Sequence, residues 1–81
     1  MTKLLTDPVF GQNLQRLRYA RGLTQEETVA QLQLLGSPIR RNTYAMIELG
    51  RGNIYVSDLV ALQKVFNVDF AAFFEGIPTS R

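Results

Sequence analysis

Apolar residues recur along the chain at three- and four-residue spacing, in runs punctuated by Gly, Pro and Asn. That period predicts helices, five of them, joined by short connections. The first opens at Asp7-Pro8, because Asp suits an N-cap and Pro the first helical position. Phe10, Leu14 and Leu17 form its apolar face, and Gly22 closes it after Arg18 and Arg21, cations that suit the end of a helix dipole. Thr24 and Glu27 have capping-box spacing at the start of the second helix, whose buried stripe is Val29 and Leu32. This helix is expected to fray near Leu35-Gly36. Pro38 interrupts the pattern, which predicts a loop from Gly36 to Arg40. The third helix runs from about Arg41 to Leu49 and stops at Gly50, with Tyr44 and Ile47 pointing inward. Arg51-Gly52-Asn53 reads as a turn. Ser57 is expected to cap the fourth helix, with Asp58 in its first turn and Leu59, Leu62 and Phe66 on its inner face. Asn67 ends it in a left-handed conformation. Asp69 then caps a short fifth helix, Phe70 to Glu75, ended by Gly76, before a frayed tail from Ile77 to Arg81. Leu4-Leu5 is expected to pack on the fourth or fifth helix or to be disordered. No repeat, low-complexity segment or strand is read. The expected fold class is all-α, one domain spanning the 81 residues with its core at about 8–76.

Composition narrows the chemistry more than it directs it. With no Cys and no His, there is no thiolate ligand, no thiol nucleophile and no imidazole base. No apolar run approaches the ~20 residues of a membrane span, and the first residues lack the apolar core of a signal peptide. A soluble cytoplasmic protein without a membrane partner is expected. The carboxylates read as caps, helix-start charges or ion-pair partners. Glu26 and Glu27, being adjacent, cannot converge on one helix face. No enzyme activity, cofactor or metal is expected. A net charge of +2 permits a polyanionic partner without arguing for one. Its distribution says more. Between Ser37 and Asn53, Arg40, Arg41 and Arg51 stand against Glu48 alone, and the acids Glu26, Glu27, Asp58 and Asp69 lie on other elements.

The stretch GLTQEETVAQLQLLGSPIRRNTYAMIELGRGN resembles the Cro/repressor-type (XRE) helix-turn-helix family. LRYARGLTQEE is similar to the end of that family's first helix and the start of its second, NTYAMIELGRG to its third helix, and LVALQKVFNVDFAAFF to its fourth and fifth. The resemblance runs from about Phe10 to Phe74. It implies a five-helix, phage-repressor-like domain that regulates transcription on double-stranded DNA, expected to be a repressor. One helix reads only a few base pairs, so a homodimer on a palindromic site is implied. In that scheme Arg41 and Asn42 face base edges, where Arg pairs with guanine and Asn with adenine. Ala45 and Met46 offer apolar contact to a thymine methyl. Gln25, Arg40, Thr43, Arg51 and Asn53 are implied phosphate contacts, and Tyr55 is a weaker candidate. Arg18 and Glu48 match a structural ion pair between the first and third helices, expected here to be partly exposed. Phe70, Phe73, Phe74 and Ile77 form the expected core edge and dimer surface.

The chain departs from the family pattern in three places. LQLLGSPIRR makes a lengthened turn, Thr28 stands where a buried Leu is usual, and Val29 stands where a small residue is usual. Blander readings stay open beside the functional ones. The arginines can be solvated surface charges, Asn42 a local cap, and Gln25 a polar first-turn residue. Met46 and Leu49 can form a partner surface. The alternative function is a protein-binding helical module or an antitoxin-like protein with a partner protein.

Overall fold

The computed structural model describes residues 3–79, with side chains from Thr6 onward. Among the described residues there are four α-helices: α1 (Pro8–Ala20), α2 (Gln25–Leu34), α3 (Arg41–Glu48) and α4 (Val56–Phe66). They are followed by a 3-10 helix, Phe70–Phe74, where the periodicity predicts a fifth α-helix. Two short strands, β1 (Lys3–Leu5) and β2 (Asn53–Tyr55), pair antiparallel with Lys3 opposite Tyr55 and Leu5 opposite Asn53. These strands correct the expectation that no strand is present, while the fold stays mostly helical as the all-α reading expects. Three residues are too few for an alternating pattern to be visible in the sequence. The packing of the Leu4 and Leu5 side chains lies outside the described residues, as do Ser80 and Arg81 of the expected frayed tail. Ile77 in that tail is partly buried against the core.

The helix boundaries follow local chemistry. The Asp7 carboxylate accepts the Phe10 N–H at 2.7 Å, and Pro8 begins α1. Thr24 and Glu27 close a reciprocal capping box, at 3.0 Å and 2.9 Å. Three helices in succession end alike. In α3 the Gly50 N–H bonds Ile47 O at 2.9 Å and the Arg51 N–H bonds Met46 O at 3.0 Å, a Schellman motif. Gly22 and Gly36 end α1 and α2 in the same way. The fourth helix begins differently from expectation. Its N-cap is Tyr55, not Ser57. Asp58 supplies the satisfying acceptor instead, taking the Tyr55 N–H at 3.2 Å. Asn67 closes α4 with φ 53°.

The core is built from Leu14 and Leu17 of α1, Val29 and Leu32 of α2, Tyr44 and Ile47 of α3, Leu59, Leu62 and Phe66 of α4, and Phe73. Thr28 is fully buried, and its hydroxyl donates to the Thr24 carbonyl at 2.9 Å, so it costs the core no unsatisfied donor. α1 and α3 meet backbone to backbone. A Cβ on Gly11 would overlap the Glu48 carbonyl and stand 2.8 Å from Ile47 O. This contact fixes the angle at which α3 leaves the body of the molecule.

Candidate nucleic-acid interface

α2, the turn after it and α3 form a helix-turn-helix whose second helix has two faces. Tyr44, Ile47 and Glu48 are buried. Arg41, Asn42, Thr43, Met46 and Leu49 are exposed and Ala45 is half-buried. The spacing 42, 45, 46, 49 is one outward stripe of a helix. α3 starts without a side-chain cap, since its N-cap residue is Arg40. Asn42 therefore is not the local cap. Among the described residues, the side chains of Arg40, Arg41, Asn42, Thr43, Arg51 and Asn53 make no hydrogen bond or ion pair.

Two clefts flank the start of α3. One, of about 480 Å³, is lined by Arg18, Tyr19, the start of α2 with Gln25, and Arg41. The other, of about 280 Å³, lies between the lengthened turn and β2 and is lined by Arg40, Thr43, Asn53, Tyr55 and Asp58. Of the expected phosphate-contacting residues, Gln25 lines the first cleft and Arg40, Thr43 and Asn53 line the second. Arg51, at the end of α3, is exposed and lines neither cleft.

A buried ionic network holds α3 in place. Arg18 Nε and Nη2 donate to the two Glu48 carboxylate oxygens at 2.7 and 3.1 Å, a bidentate pair. Their side chains are only 7% and 3% exposed, which corrects the expectation of a partly exposed bridge. Arg18 Nη1 also donates to Leu23 O at 2.9 Å, tying in the turn before α2. Gln25 is less free than expected, because its amide donates to Glu48 Oε1 at 3.0 Å. That bond orients Gln25 at the first turn of α2, where the backbone N–H groups of residues at the helix start point outward. Hydrogen bonding to Glu48 raises the Arg18 guanidinium above its ordinary range, against the opposing effect of burial. For Glu48, desolvation pushes the carboxyl up, but the hydrogen bonds from Arg18 and Gln25, with the nearby Tyr44 hydroxyl, together hold it below the usual carboxylate range. Burial pushes the Tyr44 phenol up. The Tyr44 hydroxyl lies near enough to bias Glu48 without reaching hydrogen-bond geometry.

The fold has a solved counterpart. The chain matches the crystal structure of the restriction-modification controller protein C.AhdI from Aeromonas hydrophila. The TM-score is 0.72 and the sequence identity 25%, over 83% of this chain and 94% of C.AhdI. No protein-family model and no curated protein sequence matches the chain. The likeness to C.AhdI takes in most of both chains, so the helix-turn-helix arrangement belongs to a shared fold and not to a local coincidence of two helices.

One residue that sequence reasoning passed over organises the lengthened turn. Asp58 reads as a helix-start charge, yet it is buried. Its Oδ1 accepts the Ser37 hydroxyl at 2.8 Å and its Oδ2 the Tyr55 N–H. The turn is thereby stapled to α4 beside the second cleft. Only the Ser-Pro in the turn and an acid at the third helical position hint at this pairing in the sequence. Phe73 is a second correction. It is fully buried, with ring centroids 6.5, 6.3 and 6.4 Å from Phe10, Phe66 and Phe70, and so cannot form part of a dimer surface. Phe70 and Phe74 remain 44% and 43% exposed. Among the described residues no helix is long and apolar enough to cross a membrane.

Proposed function

We propose that this chain is a sequence-specific, double-stranded-DNA-binding transcriptional regulator of the Cro/repressor (XRE) type. It acts as a homodimer in the cytoplasm and represses by occupying a palindromic site. The observation that carries this reading is the start of α3: two unpartnered polar side chains, Arg41 and Asn42, beside one cleft lined by Gln25 and Arg41 and another lined by Arg40, Thr43 and Asn53. A major groove presents distinct base edges between two phosphate backbones, and this arrangement has matching groups for both. The likeness to a restriction-modification controller protein supports the same reading. In this proposal Arg41 and Asn42 contact bases and Ala45 and Met46 offer apolar contact. Gln25, Arg40, Thr43, Arg51 and Asn53 contact phosphates.

We read the chain as a binding protein and not an enzyme. Asp7, Glu27, Glu48, Asp58 and Glu75 are all engaged in caps, ion pairs or staples. A protein-binding role is the second reading, favoured by Leu49, 64% exposed on the outer face of α3. Selection from random duplex DNA at near-physiological salt separates the two. Enrichment of a palindrome with half-sites about one helical turn, ~34 Å, apart is the expected result. Recovery of no preferred sequence by the folded protein overturns the DNA reading.

A further inference from the structure

We propose that Thr6 and strand β1 form a clasp that positions the Arg51–Asn53 turn for phosphate contact, an inference that rests on the DNA-binding reading above. The turn leaves α3 through two glycines at positive φ, Gly50 at 80° and Gly52 at 82°. Left to itself such a segment is among the most mobile a chain can contain, because glycine has the widest backbone freedom. Yet it carries Arg51 and leads directly into Asn53 at the second cleft. A flexible turn would lose ordering entropy each time its cation met a phosphate.

Three sets of contacts remove that freedom in advance. The Schellman bond from the Arg51 N–H to Met46 O, 3.0 Å, pins the turn to α3. Gly50 packs so closely on the start of α1 that a Cβ there would lie 2.5 Å from Pro8 N. Beyond Gly50 the restraint comes from the segment before α1. The Thr6 N–H and the Thr6 hydroxyl both donate to the Gly52 carbonyl, at 3.2 and 2.9 Å. β1 then continues the ladder, with Leu5 opposite Asn53 and Lys3 opposite Tyr55. The Gly52 carbonyl is the hinge point between the two expected phosphate contacts, and Thr6 holds it twice. Thr6 is accordingly a positioning residue that acts through Arg51 and Asn53.

The test is equilibrium binding to the duplex enriched by selection, measured against salt for the full chain and its variants. Thr6→Val keeps the shape and removes the hydroxyl donor, and Thr6→Ser keeps the donor. A net hydrogen bond corresponds to roughly fivefold in an equilibrium constant, so Thr6→Val is expected to weaken binding about fivefold. It is expected to make the salt dependence shallower, and Thr6→Ser is expected to restore both. In an Arg51→Ala, Asn53→Ala background, Thr6→Val is expected to change little, because the residues it positions are gone. A purely structural role would give the same loss in both backgrounds. Gly52→Ala tests the turn from its own backbone, where a Cβ has nothing within 4 Å and only the positive φ is penalised. It is expected to show the same shallower salt dependence even if Thr6→Val proves hard to fold. Binding by Thr6→Val and Gly52→Ala equal to wild type, a loss that persists in the double-alanine background, or a failure of Thr6→Ser to restore binding overturns the clasp alone. A wild-type chain that binds no duplex overturns the DNA reading and the clasp with it.

Discussion

Glu48 joins several of this molecule's interactions in one buried side chain. It is buried, it neutralises a buried arginine, and it orients Gln25 at the first cleft. Removing one member of a buried pair leaves the other charge stranded, so Glu48→Ala is expected to cost about 3–5 kcal/mol in urea unfolding. The carboxyl is held below its ordinary range, so its stabilising contribution is fully present above the unfolded value of about 4.3 and is lost as pH falls through the lower, folded value. Exposed Glu27, held down by the Thr24 N–H, acts in the same direction. The melting temperature is therefore expected to stay level from neutral pH to about pH 5 and to fall below about pH 4, with a shallower fall in Glu48→Gln. Arg41, with no partner to lose, is the opposite case. Arg41→Ala is expected to leave the melting temperature unchanged and to weaken binding to the selected site by about 1–3 kcal/mol more than binding to random duplex. Equal loss on both would make Arg41 a phosphate contact.

Among the elements, the approach of α1 to α3 sets the interface, because it decides how far α3 projects. Gly11→Ala would force a methyl into the Glu48 carbonyl, and the two helices would have to part. Overpacking of this kind costs about 1–3 kcal/mol, which in a domain of this size lowers the melting temperature by roughly 4–8 °C per kcal/mol. A drop under 2 °C, read by circular dichroism, would mean that α1 and α3 can slide without penalty. The helices themselves were legible in the sequence because their signals are local: Asp7-Pro8, the Thr24–Glu27 box and the stop at Gly50 each act within one turn. So was the outward stripe of α3, since one helical period separates it from Tyr44 and Ile47. What escaped is long-range. β1 and β2 lie about fifty residues apart in the chain, and neither is long enough to show a period of two. The cap of α4 departs from its sequence signal for a related reason. Ser57 has the better local propensity, but Asp58 is already committed to Ser37 across the turn and draws the helix start back to Tyr55. The 3-10 form of Phe70–Phe74 is likewise set by tertiary bonds, as Asn13 holds the Phe73 and Glu75 carbonyls at 2.9 Å each.

At the scale of the whole molecule, one copy is 36 × 28 × 20 Å, of the order of one turn of DNA, ~34 Å, so the face through which the proposed dimer joins decides whether its two α3 helices match that spacing. Two apolar surfaces are candidates for joining the proposed dimer. Phe70 and Phe74 stand on the 3-10 helix, which Asn13 and an Arg16–Glu75 ion pair of 3.0 Å fasten to α1. Leu34, 86% exposed, and Leu35 edge a shallow groove between α2 and α4. Aromatic side chains on a rigid support make the stronger anchors, because they bury more area and lose less freedom. Phe70→Asp with Phe74→Asp is therefore expected to convert a dimer to a monomer in sedimentation equilibrium. The fold should survive with reduced stability, since Phe73 fills the core while Phe70 and Phe74 are nearly half exposed but pack on Phe73 and Phe10. On the selected palindrome the double variant is expected to occupy half-sites independently, with a salt slope about half that of the dimer, since each protomer carries its own phosphate contacts. Leu34→Glu is expected to leave the dimer intact. The reverse result, a dimer that survives the two aspartates and falls apart with Leu34→Glu, would place the two-fold axis at the α2–α4 groove and change the spacing of the half-sites the protein can span.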